Sequence, residues 1–538
     1  MRILLINTNL KDDFMAAPPI GLAYVASAAQ DAGHEVHVLD LCFRKDVRGD
    51  LDEALCRIRP ELIGLSIRNL DNVNLMHPVS YVPEAEAMVG RIRRLSRAPI
   101  VLGGSGASLS PRSLLERLEA DYIIVSEGES SFVELLRRLQ EGESTDGIPG
   151  LGRRIRGEFS MTPPVLRDFP SVDAQLGRWI DMKPYMRMGS SYTIQTKRGC
   201  LLQCIYCTYN QVLEGRNLRL RSPVEVVDEL EEALLKYRPE SFEFVDSVFN
   251  RPYDHCMEIL EEIVRRPWKA RFTAMGVHPV RLDAPFLDLM WRAGFRSFMI
   301  TPESASETMI RSYRKGFHKD DLVQAAEAVR KTGFTVMWFF LVGGPGETNR
   351  TLQETLDFNF RHLRMVKRPP YNMSNFYLGV RLYPGTEMWR IAMEEGFVTD
   401  RSDPLDSLWY VSEGLDLTRA VRQMVDAASL CPEIVLGFDE QFLALSWIVS
   451  RVGGLFRMAK PYWRHTWGLN QLLIKTGFRF PSGPPPMVAR IRESLRRQGY
   501  KGPLLGDPPP QGLDGPQRGV ERPVFPQRGR RDDSADAG

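Results

Sequence analysis

The sequence predicts an α/β protein in which two strand–helix regions follow one another and a helical region comes last. Short apolar runs alternate with helical stretches over residues 1–145, and six further strand–helix units follow over residues 186–396. Strands that alternate with helices indicate parallel sheets, because each crossover helix returns the chain to the same edge. From residue 397 to 501 the pattern is helical and lacks regular strands. We therefore expect two α/β domains and a helical domain.

Length and composition narrow the class of protein. The 538 residues are enough for three ordinary domains, and the net charge of +2 gives no global field that would attract nucleic acid. We find no run of apolar residues long enough to span a membrane, and the first residues are too short for a signal peptide. Seven cysteines, three of them clustered, predict a reducing cytoplasmic location.

The first region contains five strand–helix units, which predict a doubly wound, flavodoxin-like (Rossmann-type) domain. Its strands are predicted at 2–7, 35–40, 62–68, 100–104 and 122–128. A ligand of such a sheet lies beyond the carboxyl ends of the strands, and glycines there let it approach the backbone. The candidate ligand-binding residues at these ends are Thr8, Asn9, Arg68, Asn69, Gly103, Gly104, Ser105, Gly106, Glu127 and Gly128.

The second region follows a predicted linker. Residues 146–185 contain four prolines that break regular structure. The next strands are predicted at 192–197, 242–247, 271–276, 297–303, 335–343 and 373–381. Ser222 and Pro223 form a natural start for the helix after the first of these strands. Six such units predict a partial (β/α)6 barrel, whose active groups are expected at the carboxyl ends of its strands.

Three cysteines follow the first barrel strand. Cys200, Cys204 and Cys207 have the spacing C-x3-C-x2-C, and thiolates are soft ligands that suit iron–sulfur clusters or zinc. Three ligands on a four-iron cluster would leave one iron open, as a catalytic centre requires. The alternatives are a structural zinc site and three unrelated buried cysteines. Zinc sites usually combine two cysteine pairs, and the other cysteines are scattered singly.

This motif, with Tyr206 before the third cysteine, resembles the radical S-adenosylmethionine (SAM) superfamily. The resemblance implies a TIM-type partial barrel and a [4Fe-4S] cluster whose open iron is chelated by SAM. It also implies that Asp246 accepts from the SAM ammonium, that Glu303 binds the ribose, and that a glycine loop passes beneath the adenine. The SAM-binding residues expected on this basis are Tyr206, Asp246, Ser247, Glu303, Gly343 and Gly344.

The first domain is similar to the cobalamin-binding domain that precedes many radical SAM enzymes. The segment 18–22 and the loops at Gly103 and Glu127 carry this similarity. The motif D-x-H-x-x-G, whose histidine binds cobalt, is absent from the sequence. We therefore expect cobalamin to bind without a histidine ligand, with Arg68 facing its lower side.

Over residues 1–396 the chain resembles cobalamin-dependent radical SAM methylases. The resemblance implies transfer of a methyl group from SAM, via methylcobalamin, to an unactivated carbon of a small molecule or natural product. It also implies an electron donor such as flavodoxin or ferredoxin. Segments 66–72, 195–207 and 246–250 are similar to the branch that methylates tryptophan. No residue is assigned a catalytic role.

Two other functions stay open at this point. One is a cobalamin-binding radical enzyme that cyclises or rearranges its substrate, and the other is a non-catalytic iron–sulfur sensor. Methylthiotransferases are disfavoured because their additional N-terminal cysteine triad is absent.

The last part of the chain carries two further expectations. Residues 441–469 mix aromatic and basic side chains, which suggests a lid, a core element or a membrane-surface contact. Residues 502–538 are rich in Pro, Gly, Arg and Asp, and we expect this tail to be disordered.

Overall fold

The computed structural model describes residues 1–10, 16–166, 173–364, 371–431, 433–437 and 484–498, together with isolated residues between 445 and 469. The expected disordered tail lies outside these residues, and so does most of the aromatic and basic segment 441–469. No described helix is both long and apolar enough to cross a membrane.

The first domain is built on a sheet whose first five strands are parallel. Strand β1 is central, between β2 and β3, and five of its six residues are buried because helices cover both faces. The strands are β1 Arg2–Asn7, β2 Glu35–Asp40, β3 Leu62–Ser66, β4 Ile100–Gly103 and β5 Tyr122–Ile124. The helices are α1 Ile20–Asp31, α2 Val47–Ile58, α3 Val82–Leu95, α4 Ser105–Leu109, α5 Pro111–Arg117 and α6 Glu129–Glu141. The predicted doubly wound fold is confirmed.

The predicted linker is wrong in its first half. Strands β6 Leu151–Ile155 and β7 Glu158–Met161 form an antiparallel hairpin that extends the sheet in the order β2-β1-β3-β4-β5-β6-β7. Arg156 and Gly157, both with positive φ, make its turn. The prolines at 149, 163 and 164 lie on either side of the hairpin and do not interrupt it. Two short helices follow, α7 Leu176–Trp179 and α8 Met182–Arg187.

The second domain is the partial barrel. All neighbouring barrel strands are parallel, in the groups β12-β11-β8 and β13-β14-β15-β18, and isolated bridges from Phe272 to Phe295 and from Val277 to Ile300 join the groups. The strands are β8 Tyr192–Ile194, β11 Phe242–Phe244, β12 Phe272–Ala274, β13 Ser297–Glu303, β14 Thr335–Val342, β15 Tyr371–Leu378 and β18 Ile434–Leu436. The helices are α9 Pro223–Tyr237, α10 Tyr253–Arg265, α11 Ala284–Ala293, α12 Glu307–Ser312, α13 Lys319–Arg330, α14 Asn349–Phe358 and α15 Glu387–Glu394.

Short pairs and π-helical turns complete this domain. The paired strands are β9 Lys197–Arg198 with β10 Arg219–Leu220, and β16 Val380–Arg381 with β17 Trp409–Tyr410. The π-helical turns are Tyr209–Leu213 and Asn359–Leu363. Helix α9 begins at Pro223, as the sequence predicted. Cys256 on α10 is fully buried with Ile259, Leu260 and Ile263, so this cysteine packs in the barrel core.

The C-terminal region is helical, as predicted, but the expectation that it lacks regular strands is wrong. It contains α16 Leu417–Leu430 and α17 Pro484–Arg497, but β18 lies beside β15 and adds a seventh strand to the barrel. Strand β18 has only three residues, all buried. So short an apolar run has no periodicity that distinguishes a strand from part of a helix.

Candidate active site between the two α/β domains

A cavity of about 560 Å³ lies between the carboxyl ends of the two parallel sheets. The first domain lines it with the loops after β3, β4 and β5, and the barrel lines it with the cysteine loop and the ends of β8, β11 and β13. The cavity also extends into the first domain, where Leu5, Gly64, Val101 and Phe132 form its wall. One space therefore connects the two regions in which the sequence predicted ligands.

The loop that carries the three cysteines lines this cavity. Cys200, Cys204 and Cys207 all line it, and none forms a disulfide. Gly199 has φ +88°, and a Cβ there would lie 2.1 Å from the Asn217 carbonyl oxygen, so this turn requires glycine. Gln211 donates through Nε2 to the carbonyl oxygens of Cys204 (2.9 Å) and Cys207 (3.2 Å). The loop is thus fixed by contacts that leave its thiols free.

Burial disfavours the thiolate form of the three cysteines. It raises the pKa of the Cys207 thiol to about 11, and it also raises the pKa values of Cys200 and Cys204. A metal must therefore displace the protons when it binds. In the described part of the chain, no set of three or more His, Cys, Asp or Glu side chains is arranged to hold one metal ion.

A buried ion pair borders the cysteines. Lys315 contacts the carboxylate of Glu303 and donates to the Tyr206 hydroxyl at 2.9 Å, and all three side chains line the cavity or its wall. Burial raises the pKa of the Glu303 carboxyl, while Lys315 opposes this shift. Burial disfavours the Lys315 ammonium, but the opposite charge of Glu303 prevails and raises its pKa. Sequence reasoning found Glu303 and Tyr206 but missed Lys315, which no motif marks.

Asp246, predicted to accept from the SAM ammonium, already has partners within the protein. Its side chain is fully buried, and its carboxylate accepts from the Thr196 amide (2.7 Å), the Thr196 hydroxyl (2.7 Å) and the Lys197 Nζ (3.1 Å). Asp246 therefore fixes the segment that leads into the cysteine loop. Asp246 also lines the cavity, and its contact with the SAM ammonium stays a prediction.

The neighbouring Ser247 contacts Glu214, a cavity residue that the sequence analysis missed. Its hydroxyl donates to Glu214 at 3.1 Å, and Glu214 also accepts from the Gly199 amide at 2.9 Å. Both residues line the cavity. Glu214 lies only seven residues beyond Cys207, but no spacing rule distinguishes it from a surface glutamate.

The glycines expected beneath the adenine have a different environment. Neither Gly343 nor Gly344 is among the residues that line the cavity. A Cβ on Gly344 would lie 2.3–2.5 Å from atoms of the Tyr313 ring and hydroxyl, and the Gly344 amide donates to that hydroxyl at 3.1 Å. Glycine is required at position 344 because Tyr313 packs against the backbone there. The contact of this glycine pair with the adenine stays a prediction.

The predicted cobalamin loops divide into two groups. Gly104 has φ +98°, and a Cβ there would lie 2.6 Å from the Ile67 carbonyl oxygen, so the loop after β4 packs closely on the loop after β3. The first group lines the cavity and comprises Arg68, Gly103, Gly104, Ser105, Glu127 and Gly128. The second group is not part of the lining and comprises Thr8, Asn9, Asn69 and Gly106.

The second group has structural partners or lies at the surface. Thr8 donates to the Ser66 carbonyl oxygen at 2.9 Å, and Asn9 contacts the Cys42 sulfur at 4.0 Å. Asn69 is exposed, whereas Gly106 packs against the backbone of Ile67. The expectation that these four residues contact cobalamin gains no support.

Buried charges connect the two domains at the cavity. Arg198 on β9 pairs with Glu129 at 2.6 Å and with Glu127 at 3.5 Å, and Arg219 pairs with Glu127 at 2.5 Å. Glu127, predicted as a cobalamin contact, is thus engaged by two arginines. We name the set Glu127, Glu129, Arg198 and Arg219 the acidic–arginine clamp.

Comparison with known proteins assigns both domains. The B12 binding domain model matches residues 14–136, and the Radical SAM superfamily model matches residues 194–358. The chain therefore carries both domains and is similar to cobalamin-dependent radical SAM methyltransferases. The cofactors of this enzyme are cobalamin, a [4Fe-4S] cluster and SAM.

Relatives and solved structures extend the match beyond these domains. The enzyme is 28% identical over 446 residues to the tryptophan 2-C-methyltransferase of Streptomyces laurentii, which covers 71% of this chain and 73% of that one. It is 24% identical over 453 residues to the cytidylyl-2-hydroxyethylphosphonate methyltransferase of Streptomyces wedmorensis, with coverage of 73% and 80%.

Among solved structures, the radical SAM methyltransferase TsrM of Kitasatospora setae, with tryptophan and aza-SAM bound, has a TM-score of 0.74 at 26% identity and covers 89% of this chain and 100% of TsrM.

The described residues fit these cofactors. The three free thiols at the cavity suit a [4Fe-4S] cluster, and Tyr206, Ser247 and Glu303 remain candidate SAM contacts. The cavity extends into the first domain as far as Gly64 on β3 and Phe132 on α6. Among its described residues, the first domain contributes no histidine to the cavity wall. The barrel contributes His278 to the lining, and cobalamin binding without a histidine ligand stays a prediction.

Proposed function

We propose that the enzyme transfers a methyl group from SAM, by way of cobalamin, to a carbon atom of a small molecule held in the inter-domain cavity. The observation that carries this proposal is the shared cavity, which the cysteine loop and the cobalamin loops line together. Group transfer between cofactors requires their reactive atoms to face one another across a short distance. Two separate pockets would not meet this requirement.

The cofactors supply the chemistry, since cobalt can accept a methyl group from SAM and release it to carbon. The protein binds and orients. Cys200, Cys204 and Cys207 hold the cluster, and Asp246 fixes the segment before them. Arg68 places a positive charge at the cavity edge, where it disfavours further positive charge on a cofactor nearby.

Tryptophan is the first substrate to test. This choice rests on the tryptophan methyltransferase relative and on the tryptophan-bound structure of TsrM. We further propose that a flavodoxin or ferredoxin reduces the cluster when reduction is needed, and the cytoplasmic location remains a prediction from cysteine usage.

The test is product analysis with labelled SAM. The enzyme is reconstituted anaerobically with iron, sulfide and cobalamin, then incubated with tryptophan and SAM that carries a deuterated methyl group. We expect a product heavier by one labelled methyl. The control is the Cys200→Ala/Cys204→Ala/Cys207→Ala variant, which should lose cluster iron and activity. Absence of labelled product with tryptophan and with a panel of other aromatic small molecules would contradict the proposal.

The histidine-free cobalt site has its own test. Electron paramagnetic resonance of the cobalt(II) enzyme should show no nitrogen splitting from an axial imidazole. The reason is that none of the described first-domain residues that line the cavity is a histidine. Arg68→His should introduce such a splitting. A histidine signal in the unmodified enzyme would contradict this part of the proposal.

A cyclase is the second candidate. The enzyme is 26% identical over 351 residues to the anaerobic magnesium-protoporphyrin IX monomethyl ester cyclase of Cereibacter sphaeroides, which covers 63% of this chain and 55% of that one. A cyclised product would carry no labelled methyl group, so the same experiment separates the two functions. Cleavage of SAM by the reduced enzyme would argue against a non-catalytic sensor.

A further inference from the structure

Two buried polar side chains at the floor of the cavity carry an oxygen atom that has no hydrogen-bond partner among the described residues. Glu243 on β11 is 8% exposed, and its Oε1 has no hydrogen-bond partner. Thr193 on β8 is 3% exposed, and its hydroxyl also has none. Both line the cavity. Buried polar atoms of this kind usually find a partner, so an unpaired carboxylate beside an unpaired hydroxyl requires an explanation.

Strand register brings the two groups together. Glu243 and Thr193 are direct partners across the parallel pair β8–β11, so their side chains emerge side by side on the same face. On the other side, Glu243 is the register partner of Thr273, whose hydroxyl already accepts from Ser297 at 3.1 Å. The unpaired groups therefore form one site, which we name the floor pair.

Among the six carboxylates that line the cavity, Glu243 is the one that forms neither an ion pair nor a hydrogen bond with a described residue. The nearby Lys and Arg side chains are Arg68, Arg198 and Lys315 in the lining, with Lys197 and Arg219 behind it. Asp246 pairs with Lys197, Glu303 pairs with Lys315, and the two carboxylates of the acidic–arginine clamp pair with arginine. Two carboxylates remain, those of Glu214 and Glu243. Glu214 accepts hydrogen bonds from a backbone amide and a side-chain hydroxyl, whereas Glu243 has no hydrogen-bond donor among the described residues.

The floor pair lies within electrostatic reach of the first domain. The positive charge of Arg68, in the loop after β3, acts to lower the pKa of Glu243 against the larger, opposite effect of burial.

We propose that Glu243 and Thr193 bind a cationic, nitrogen-bearing group of the methyl acceptor, such as an ammonium, and so select amines as substrates. This inference rests on the proposed function, because it specifies the substrate class of that same site. Glu243 accepts hydrogen bonds from the nitrogen, and the Thr193 hydroxyl accepts another. The rest of the substrate then extends toward the cofactors.

The test measures binding, so that it does not depend on methyl transfer. Holoenzyme saturated with SAM is titrated with 2-phenylethylamine and with 2-phenylethanol, two ligands of matched shape that differ in the cation. We expect the amine to bind about tenfold tighter or more, since hydrogen bonds to a charged group are the stronger ones. Glu243→Gln should abolish this preference, and Thr193→Val should reduce it several-fold.

Glu347→Gln is the matched control. Glu347 is equally buried and its pKa is also raised by burial to about 7, but it accepts from the Thr351 hydroxyl at 2.6 Å and does not line the cavity. This variant should retain the preference for the amine. It also reports whether loss of any buried acid disturbs the fold enough to weaken binding.

Proton release gives a second measurement. Burial raises the pKa of Glu243 to about 7, so at pH 7 roughly half of the carboxyl groups carry a proton that a bound ammonium expels. Calorimetry in two buffers of different ionisation enthalpy should detect about half a proton released per amine bound, and none in Glu243→Gln.

Three outcomes would overturn the inference: equal binding of amine and alcohol by the wild-type enzyme, no binding of either, or an unchanged preference in Glu243→Gln. Competition between SAM and the amine would overturn it as well, because Glu243 would then contact SAM. A failure of methyl transfer alone would leave these binding results intact and would contradict only the proposed reaction.

Discussion

Replacement of Glu243 by glutamine should stabilise the cofactor-free protein at alkaline pH. Burial raises the pKa of this carboxyl in the folded chain from 4.5 to about 7, whereas the unfolded chain has the ordinary value. Between these two values the folded state binds a proton that the unfolded state has lost, so stability falls as pH rises. Above pH 7 the full cost of a buried, unpaired carboxylate is present.

The size of the effect follows from the difference of about 2.5 pKa units, which corresponds to about 3.4 kcal/mol at full development. Between pH 5 and pH 8 the destabilisation caused by Glu243 grows by about 2.5 kcal/mol. This is less than the full value because part of the change in ionisation lies outside this pH interval. The free energy of unfolding of Glu243→Gln, relative to wild type, should therefore rise by about that amount over this interval.

Urea unfolding at pH 5, 6, 7 and 8, followed by tryptophan fluorescence, measures this difference. Other titrating groups are common to both proteins and cancel in the comparison. Glu53→Gln, at an exposed position on α2, provides a surface control. A difference between Glu243→Gln and wild type that stays constant with pH, or that falls as pH rises, would refute the reasoning.

The remaining predictions concern residues whose surroundings fix their identity. Gly104→Leu should reduce cobalamin binding and leave the iron–sulfur cluster intact, because the leucine side chain would overlap with the loop after β3. Absorption spectra measure the bound cobalamin, and iron analysis measures the cluster. Asp246→Ala should lower the unfolding free energy by about 3–5 kcal/mol, since it leaves Lys197 buried without its counter-charge, and the added change Lys197→Met should restore part of it in urea unfolding. Gly344→Ala should cost about 1–3 kcal/mol through overlap with the Tyr313 ring, and a melting temperature equal to wild type would contradict this.

Much of the fold was readable from local pattern. The apolar run of β1 and the Ser222–Pro223 start of α9 depend on neighbouring residues alone, and both are present as predicted. The hairpin β6–β7 was missed because proline content was taken as evidence against strands, although the prolines lie at its borders. The strand β18 was missed because its pairing with β15 joins residues about sixty positions apart.

The site was less predictable than the fold. The cysteines are recognisable because cluster ligands require a fixed spacing within one loop. The contacts of Asp246 with Thr196 and Lys197 could not be predicted, because competition between partners is decided only when the chain is folded. The floor pair was missed for the same reason: nothing in the sequence distinguishes an unpaired glutamate from a paired one.

The acidic–arginine clamp limits how far this enzyme can be divided into modules. Arg198 is 6% exposed and lies two residues before Cys200, while its partners Glu127 and Glu129 follow the last parallel strand of the first domain. An isolated barrel would expose this guanidinium, and a barrel joined to a foreign domain without the two glutamates would bury it uncompensated. Exchange of cobalamin domains between such enzymes therefore has to carry the glutamates with the loop, so that the unit of exchange is the interface and not the domain.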